Sequence, residues 1–160
     1  MGRAATKEEA IAFLKRYTKQ KPTIKAISPY FTPEYETPGS ACFDIAIAHS
    51  FTLQPKELHN FPTGLHVELP EGYCLLVFAR SSLGQKKCII PNSVGVIDSD
   101  YRGEIFVILM NHSERDFIIH NGDRIGQLVI NKYEKFCFEQ TDVLPDSERG
   151  EKGLGSTGIK

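Results

Sequence analysis

Nowhere in the 160 residues does an apolar run approach the length of a membrane span. The N-terminus, MGRAATKEEA, has no apolar stretch of the kind that opens a signal peptide. These two absences lead to the expectation of a soluble, intracellular protein. Excess charge is missing as well. Nineteen Lys and Arg stand against 20 Asp and Glu, a formal net charge of −1, so neither nucleic acid nor a membrane is expected as a partner. The four cysteines, Cys42, Cys74, Cys88 and Cys137, stand singly with no CxxC pair, which argues against zinc and for free, buried thiols. The five histidines are equally scattered, without HExxH or HxH spacing, and none is given a role. There is no internal repeat and no sign of a second domain. The length suits one domain with a real core.

What is present begins with one helical signal. Thr6 and Glu9 form a capping box, Ala10, Phe13, Leu14 and Tyr17 share a face, and Pro22 stops the run. This predicts a packing or docking helix over 6–19, within an N-terminal extension spanning 1–22. From residue 23 the pattern changes to short strands broken by turn residues. The expected strands are 24–27, 43–48, 64–69, 74–79, 95–97, 105–111, 117–120, 124–130 and 135–141, with turns at PG 38–39, EG 71–72 and NG 121–122. The run 105–110 is continuously apolar and reads as a strand buried on both faces. Many short strands without alternating helices predict an all-β fold, a jelly-roll-like sandwich or barrel, over 23–144.

The remaining segment, PDSERGEKGLGSTGIK at 145–160, differs from everything before it. It has four glycines and only Leu154 and Ile159 as apolar anchors, too little to order itself. Arg149, Gly155, Ser156 and Thr157 suit a polyphosphate, because guanidinium, hydroxyls and glycine backbone N–H groups all donate to phosphate oxygens. From composition the segment reads either as a disordered terminus or as a flexible tail that closes over a ligand. It is not a Walker A loop, since Ser156 stands where a lysine is required.

Four polar clusters interrupt the β region. Asp44, in GSACFDI at 39–45, sits within an apolar strand, so it is either paired or placed near a metal-bound phosphate. Arg80, Ser81 and Ser82, in ARSSLG at 79–84, follow an apolar strand; they can grip an anion or simply make a turn. NSVGVIDSDYRGE at 92–104 reads as a hairpin tip between two apolar strands. Asp98 follows an apolar triplet there and is expected to be half-buried, as a carboxylate that handles a water or as an Asx-turn residue. In GDRIGQL at 122–128, alternation puts Ile125 with Gln127 on one face and Arg124 with Gly126 and Leu128 on the other. Gln127 then needs a hydrogen bond, structural or functional.

These segments, in this order and closed by RGEKGLGSTG at 149–158, resemble the five motifs of the homotrimeric all-β dUTP diphosphatase (dUTPase) family. The resemblance spans essentially everything after residue 23 and leaves the N-terminal helix outside. It implies attack of water on the α-phosphorus of Mg²⁺-bound dUTP, releasing dUMP and pyrophosphate, in a homotrimer whose sites draw on several subunits. By the same resemblance Asp98 activates the water and Gln127 holds that water or the α-phosphate. Arg80, Ser81 and Ser82 contact the phosphates, and Asp44 reaches Mg²⁺ through water. Asn92 and the backbone at Gly95 and Ile97 receive uracil, and Tyr101 lies under the deoxyribose. Arg149, Gly155, Ser156 and Thr157 close on the γ-phosphate.

Two positions depart from the family pattern. Cys42 replaces the usual glycine, and Leu154 the phenylalanine that stacks on uracil. A dCTP deaminase, of related fold, shares an RSSLG-like segment, but the IDSDYRGE pattern follows the diphosphatase form. A weakened homologue serving as a binding protein is the reading from another class that the two departures keep open.

Overall fold

The computed structural model describes residues 22–153. The helix expected over 6–19 and the tail residues Leu154, Gly155, Ser156 and Thr157 lie outside the described residues. Among those described, eleven strands form: β1 (Lys25–Ile27), β2 (Phe43–Ala46), β3 (Phe51–Leu53), β4 (Leu58–Pro62), β5 (His66–Glu68), β6 (Tyr73–Phe78), β7 (Cys88–Ile89), β8 (Gly95–Ile97), β9 (Phe106–Asn111), β10 (Phe117–Ile119) and β11 (Arg124–Lys132). One five-residue helix, α1 (Ser81–Gln85), follows β6. The fold is all-β, in the jelly-roll-like form expected.

The largest sheet has the order β2-β11-β6-β8, a second has β4-β9-β7, and two antiparallel pairs, β1-β5 and β10-β3, complete the enclosure. Their inward faces meet in one core that includes Ile45, Leu53, Phe61, Leu75, Leu109, Ile119 and Leu128. Strand alternation supplies it. In β2, Phe43 and Ile45 face inward while Asp44 and Ala46 face outward, so Asp44 does not interrupt the buried face but belongs to the other one. The two buried polar residues, Asn111 and Thr63, are satisfied. Asn111 donates to the carbonyls of Leu53 and Arg115, and the Thr63 hydroxyl donates to that of Ile105. The turns at 71–72 and 121–122 form around Gly72 and Gly122, both at positive φ. No helix among the described residues is long and apolar enough to cross a membrane.

Several expectations are corrected. Strand β9 is not buried on both faces. Val107, Leu109 and Asn111 point inward, while Phe106 and Ile108 on the outer face line a cleft. The segment 92–104 is not a hairpin, because β8 pairs with β6 whereas β9 pairs with β4 and β7. The two strands diverge into different sheets, and the backbone N–H of Ile105 is taken by the carbonyl of Leu65. Strands β3, β4 and β7 escaped the sequence reading because they are short and lack sustained alternation. Residues 135–141, expected as a strand, make no strand pairing among the described residues, where β11 is the last strand. The stretch that follows exposes Phe136 at 77%, Phe138 at 100%, and Val143 and Leu144 at 78% each. The thiols divide as well: Cys74 and Cys88 are buried as expected, but Cys42 is half-buried and Cys137 exposed. Burial pushes the Cys88 thiol up to about 11, so it stays protonated and inert at neutral pH.

Candidate functional site

Strand β6 is the axis of the site, with β11 on one side and β8 on the other. Off its C-terminal end lies a charged cluster. Arg80 leaves β6 in extended geometry at the N-cap of α1. Its Nε sits 3.0 Å from Oδ1 of Asp44, whose side chain is 17% exposed. The other carboxylate oxygen, Oδ2, lies 2.9 Å from Nη1 of Arg124, and that same Nη1 contacts Glu36 Oε1 at 2.6 Å. Asp44 is therefore paired twice, between two guanidiniums. Ser81 and Ser82 are exposed in the first turn of α1, beside Arg80.

Arg124 reaches this cluster through a backbone irregularity. The register of β11 against β2 pairs Gln127 with Asp44 and Gly126 with Ile45, then shifts so that Arg124 pairs with Ala46. The extra residue, Ile125, turns into the core, where it is 1% exposed. This β-bulge moves Arg124 onto the Asp44 face, which it shares with Gln127, and so overturns the alternation read from the sequence. Nothing in the local sequence marks the bulge, and Arg124 was missed as a site residue for that reason.

Gln127 is half-buried and bonded at both ends of its amide. Nε2 donates to the Ala79 carbonyl at 2.9 Å, and Oε1 accepts from the Cys42 thiol at 3.3 Å. The structural bond to backbone is thus present, and one N–H and one acceptor lone pair remain for a ligand.

The other flank of β6 carries a cleft of about 280 Å³ lined by Val77, Ile90, Asn92, Gly95, Ile97 and Phe106, with Asp98 and Tyr101 at its edge. Strand β8 lies close to β6 because Gly95 has no side chain; a Cβ there would come within 3.1 Å of Val77 Cβ. The loop beyond β8 is tied by its own groups. Tyr101 N–H donates to the Asp98 carbonyl at 3.2 Å, and Tyr101 Oη donates to the Glu104 carbonyl at 2.9 Å. Glu104 Oε1 accepts from the Gly64 backbone at 2.6 Å. A Cβ on Gly103 would collide with the Tyr101 ring, so glycine there lets the ring fold back. Asp98 is exposed rather than half-buried, because β8 ends at Ile97 and the carboxylate lies on the turn beyond it. Among the described residues it has no ion-pair partner.

The chain does not bring all of its candidate residues together. Ile97 lies opposite Leu75, so Asp98 falls beside Cys74, whereas Arg80 follows Phe78 off the other end of β6. About six residues at ~3.3 Å each put Asp98 and Arg80 roughly 20 Å apart along the strand. Asp44, Arg80 and Gln127 form one group, and Asn92, Gly95, Ile97, Asp98 and Tyr101 another. Arg149 joins neither: it is exposed in a turn where its Nε donates to the Lys152 carbonyl at 3.0 Å.

A model of the dUTPase family matches residues 29–158. A deoxyuridine 5'-triphosphate nucleotidohydrolase of Dictyoglomus turgidum is 46% identical over 132 residues, covering 79% of this chain and 90% of the relative. The enzyme of the same name from Orientia tsutsugamushi strain Ikeda is 45% identical, covering 80% and 88%. A solved structure of the Staphylococcus bacteriophage 80alpha dUTPase with dUPNHPP superposes with a TM-score of 0.78 at 28% identity, covering 86% of this chain and 99% of that one.

Proposed function

The chain belongs to the dUTPase family, and from that premise we propose how its residues carry out the hydrolysis of dUTP to dUMP. The observation that carries the reading is the division of chemistry across β6. An apolar cleft edged by an unpaired carboxylate lies on one flank, and a guanidinium cluster with a half-satisfied amide lies on the other. A base and sugar suit the first, a triphosphate the second.

Asp98 is proposed to orient and deprotonate the attacking water, since an exposed carboxylate without a cationic partner remains an available proton acceptor. Gln127 directs its remaining N–H to that water or to an α-phosphate oxygen. Arg80 forks onto phosphate oxygens, flanked by the Ser81 and Ser82 hydroxyls. Uracil enters the cleft against Asn92 and the backbone at Gly95 and Ile97. Cytosine would present the opposite donor and acceptor pattern and leave buried groups unpaired. Tyr101 excludes a 2′-hydroxyl. Arg149, with Gly155, Ser156 and Thr157, closes on the γ-phosphate, and Leu154 supplies apolar contact above the base.

Magnesium fits only as a guest of the substrate. Among the described residues no three His, Cys, Asp or Glu side chains gather to hold a cation. Both Asp44 oxygens are engaged by guanidiniums, leaving further lone pairs that can accept from a water. Asp44 would therefore hold Mg²⁺ through its hydration shell, as suits an ion that gives up water reluctantly. When bound, Mg²⁺ neutralises charge on the phosphates.

The separation of Asp98 from Arg80 supports a further step. A complete site needs the cleft of one copy beside the cluster of another, the arrangement of a homotrimer with shared sites. The exposed arm after β11 supports association as well. Burying a phenylalanine gains ~1.5–3 kcal/mol, and Phe136 and Phe138 forgo nearly all of that in a lone chain. An intracellular location, where dUTP is made, goes with this reading.

Pyrophosphate release from dUTP, dCTP, dTTP and UTP, with Mg²⁺ and with chelator, tests the reading. Rapid release from dUTP alone, lost on chelation, is the expected result. Ammonia release from dCTP would point to deamination instead. Tight dUTP binding without turnover would point to a binding protein.

A further inference from the structure

Cys42 lies just before β2, two residues from Asp44 and therefore on the same face of the sheet. Asp44 is the direct cross-strand partner of Gln127, so Cys42 is its diagonal neighbour. The thiol uses that position to donate to Gln127 Oε1 at 3.3 Å, while Nε2 of the same amide is held by the Ala79 carbonyl at 2.9 Å. We infer that Cys42 is a positioning residue for the hydrolysis, acting through the Gln127 amide. This rests on the role given to Gln127 above.

The chemistry follows from the amide's inventory. A glutamine amide has two N–H donors and an acceptor oxygen, and which end faces which partner is settled by the neighbouring bonds. The Ala79 carbonyl fixes one N–H by itself. A single bond at Nε2 still lets the amide plane swing about that contact. The thiol supplies a second point of attachment at the opposite corner, from the neighbouring strand. With both corners held, the second N–H has one direction, outward on the face that also carries Asp44 and Arg80. The opposite amide orientation would set Oε1 against the Ala79 carbonyl and turn N–H groups toward a thiol whose sulfur is a weak acceptor. Cys42 is thus suited to hold the amide before substrate arrives. Its side chain is half-buried, so the bond is partly shielded from competing water. Serine can donate in the same way and alanine cannot.

The test is steady-state kinetics on the full-length protein for Cys42→Ala, Cys42→Ser, Gln127→Ala and the double variant, with melting temperatures taken alongside. Cys42→Ala should lower kcat about three- to tenfold, in line with one modest hydrogen bond, and leave KM within about twofold. Cys42→Ser should keep at least half of the wild-type kcat. In the Gln127→Ala background, Cys42→Ala should have no further effect, since residues that act through one another are not additive. An equal fold-loss in both backgrounds, or an unchanged kcat in Cys42→Ala, overturns the inference. If Gln127→Ala itself leaves kcat intact, the fault lies in the role of Gln127, and both readings fall together. Should Cys42→Ala fail to fold, the infrared S–H stretch decides, assigned by difference against Cys42→Ser. A hydrogen-bonded band that moves to the free position in Gln127→Ala supports the contact, and a band that ignores Gln127 refutes it.

Discussion

The two flanks of β6 treat charge in opposite ways. Toward β11 and β2, Asp44, Arg80, Arg124 and Glu36 form a continuous chain of ion pairs, with Asp44 17% and Arg80 26% exposed. Toward β8, two of the described acids line the apolar cleft, Asp98 and Glu104, neither with a cation beside it; Glu104 is engaged by the Gly64 backbone N–H, and Asp98 is left open. A carboxylate with both oxygens engaged by guanidiniums serves as a brace; one left open to water keeps its lone pairs for chemistry. On the reading proposed above, the difference suits Asp44 to organisation and Asp98 to proton transfer, although both are aspartates in or just past strands of the same sheet.

The contrast breaks most visibly if the assignment of the base is wrong. Asp98→Asn should lower kcat at least about a hundredfold, the range for a lost general base, with the fold intact by circular dichroism. Near-normal turnover in a folded variant would remove Asp98 from the mechanism.

The separation of the flanks makes a second prediction. Asp98→Asn and Gln127→Ala, each impaired alone, should regain activity when unfolded together and refolded as a mixture. If the two groups come from different copies, about a quarter of the sites in a random mixed ring have both intact. A mixture no more active than its parts would mean that each chain completes its own site.

How much of this was legible beforehand differs between the flanks. The polar residues were visible because each breaks an apolar strand or follows one: Asp44 within β2, Arg80 after β6, Asp98 after β8, Gln127 within β11. The all-β class was visible in the spacing of turn residues. What the local pattern could not carry is anything set by pairing between distant strands. The bulge at Ile125 depends on how β11 fits β2, and the divergence of β8 from β9 depends on what each finds as a neighbour. The thiol contact to Gln127 joins residues 85 positions apart. The stretch 135–141 has strand-forming composition, but strand structure needs a partner, and the described residues supply none.

Smaller effects sharpen the comparison within the cleft. Tyr101→Ala should reduce the preference for dUTP over UTP by on the order of tenfold, the scale of discrimination by fit in a shaped pocket, with less change against dCTP. Gly103→Ala should act in the same direction but more weakly, because a methyl at 103 displaces the ring that Tyr101→Ala deletes. The ratio of kcat/KM for the two nucleotides checks both. An unchanged ratio in Tyr101→Ala would dismiss the steric account of sugar selection.

The smallest effect belongs to the brace. Arg124→Met removes one of the two cations on Asp44, and the Arg124 side chain is 45% exposed. Stability should fall by only ~0.5–1 kcal/mol, as for solvent-screened pairs, read from urea midpoints. KM for dUTP should rise a few-fold while kcat holds. A large loss of stability would make the cluster a core element rather than a phosphate platform.

If the chain assembles as proposed, the arm after β11 implies an order of events. Every described strand that builds the core precedes it in the chain, so a single molecule should finish folding before the arm has anywhere to go. Refolding should then separate into two phases with different reaction orders. The first, the recovery of strand signal, is independent of protein concentration. The second, the quenching of exposed aromatic surface and the return of catalysis, speeds up as concentration rises. Between the two should stand a transient species with a finished core and an adhesive end, and the time it spends alone would set how readily it is lost to aggregation.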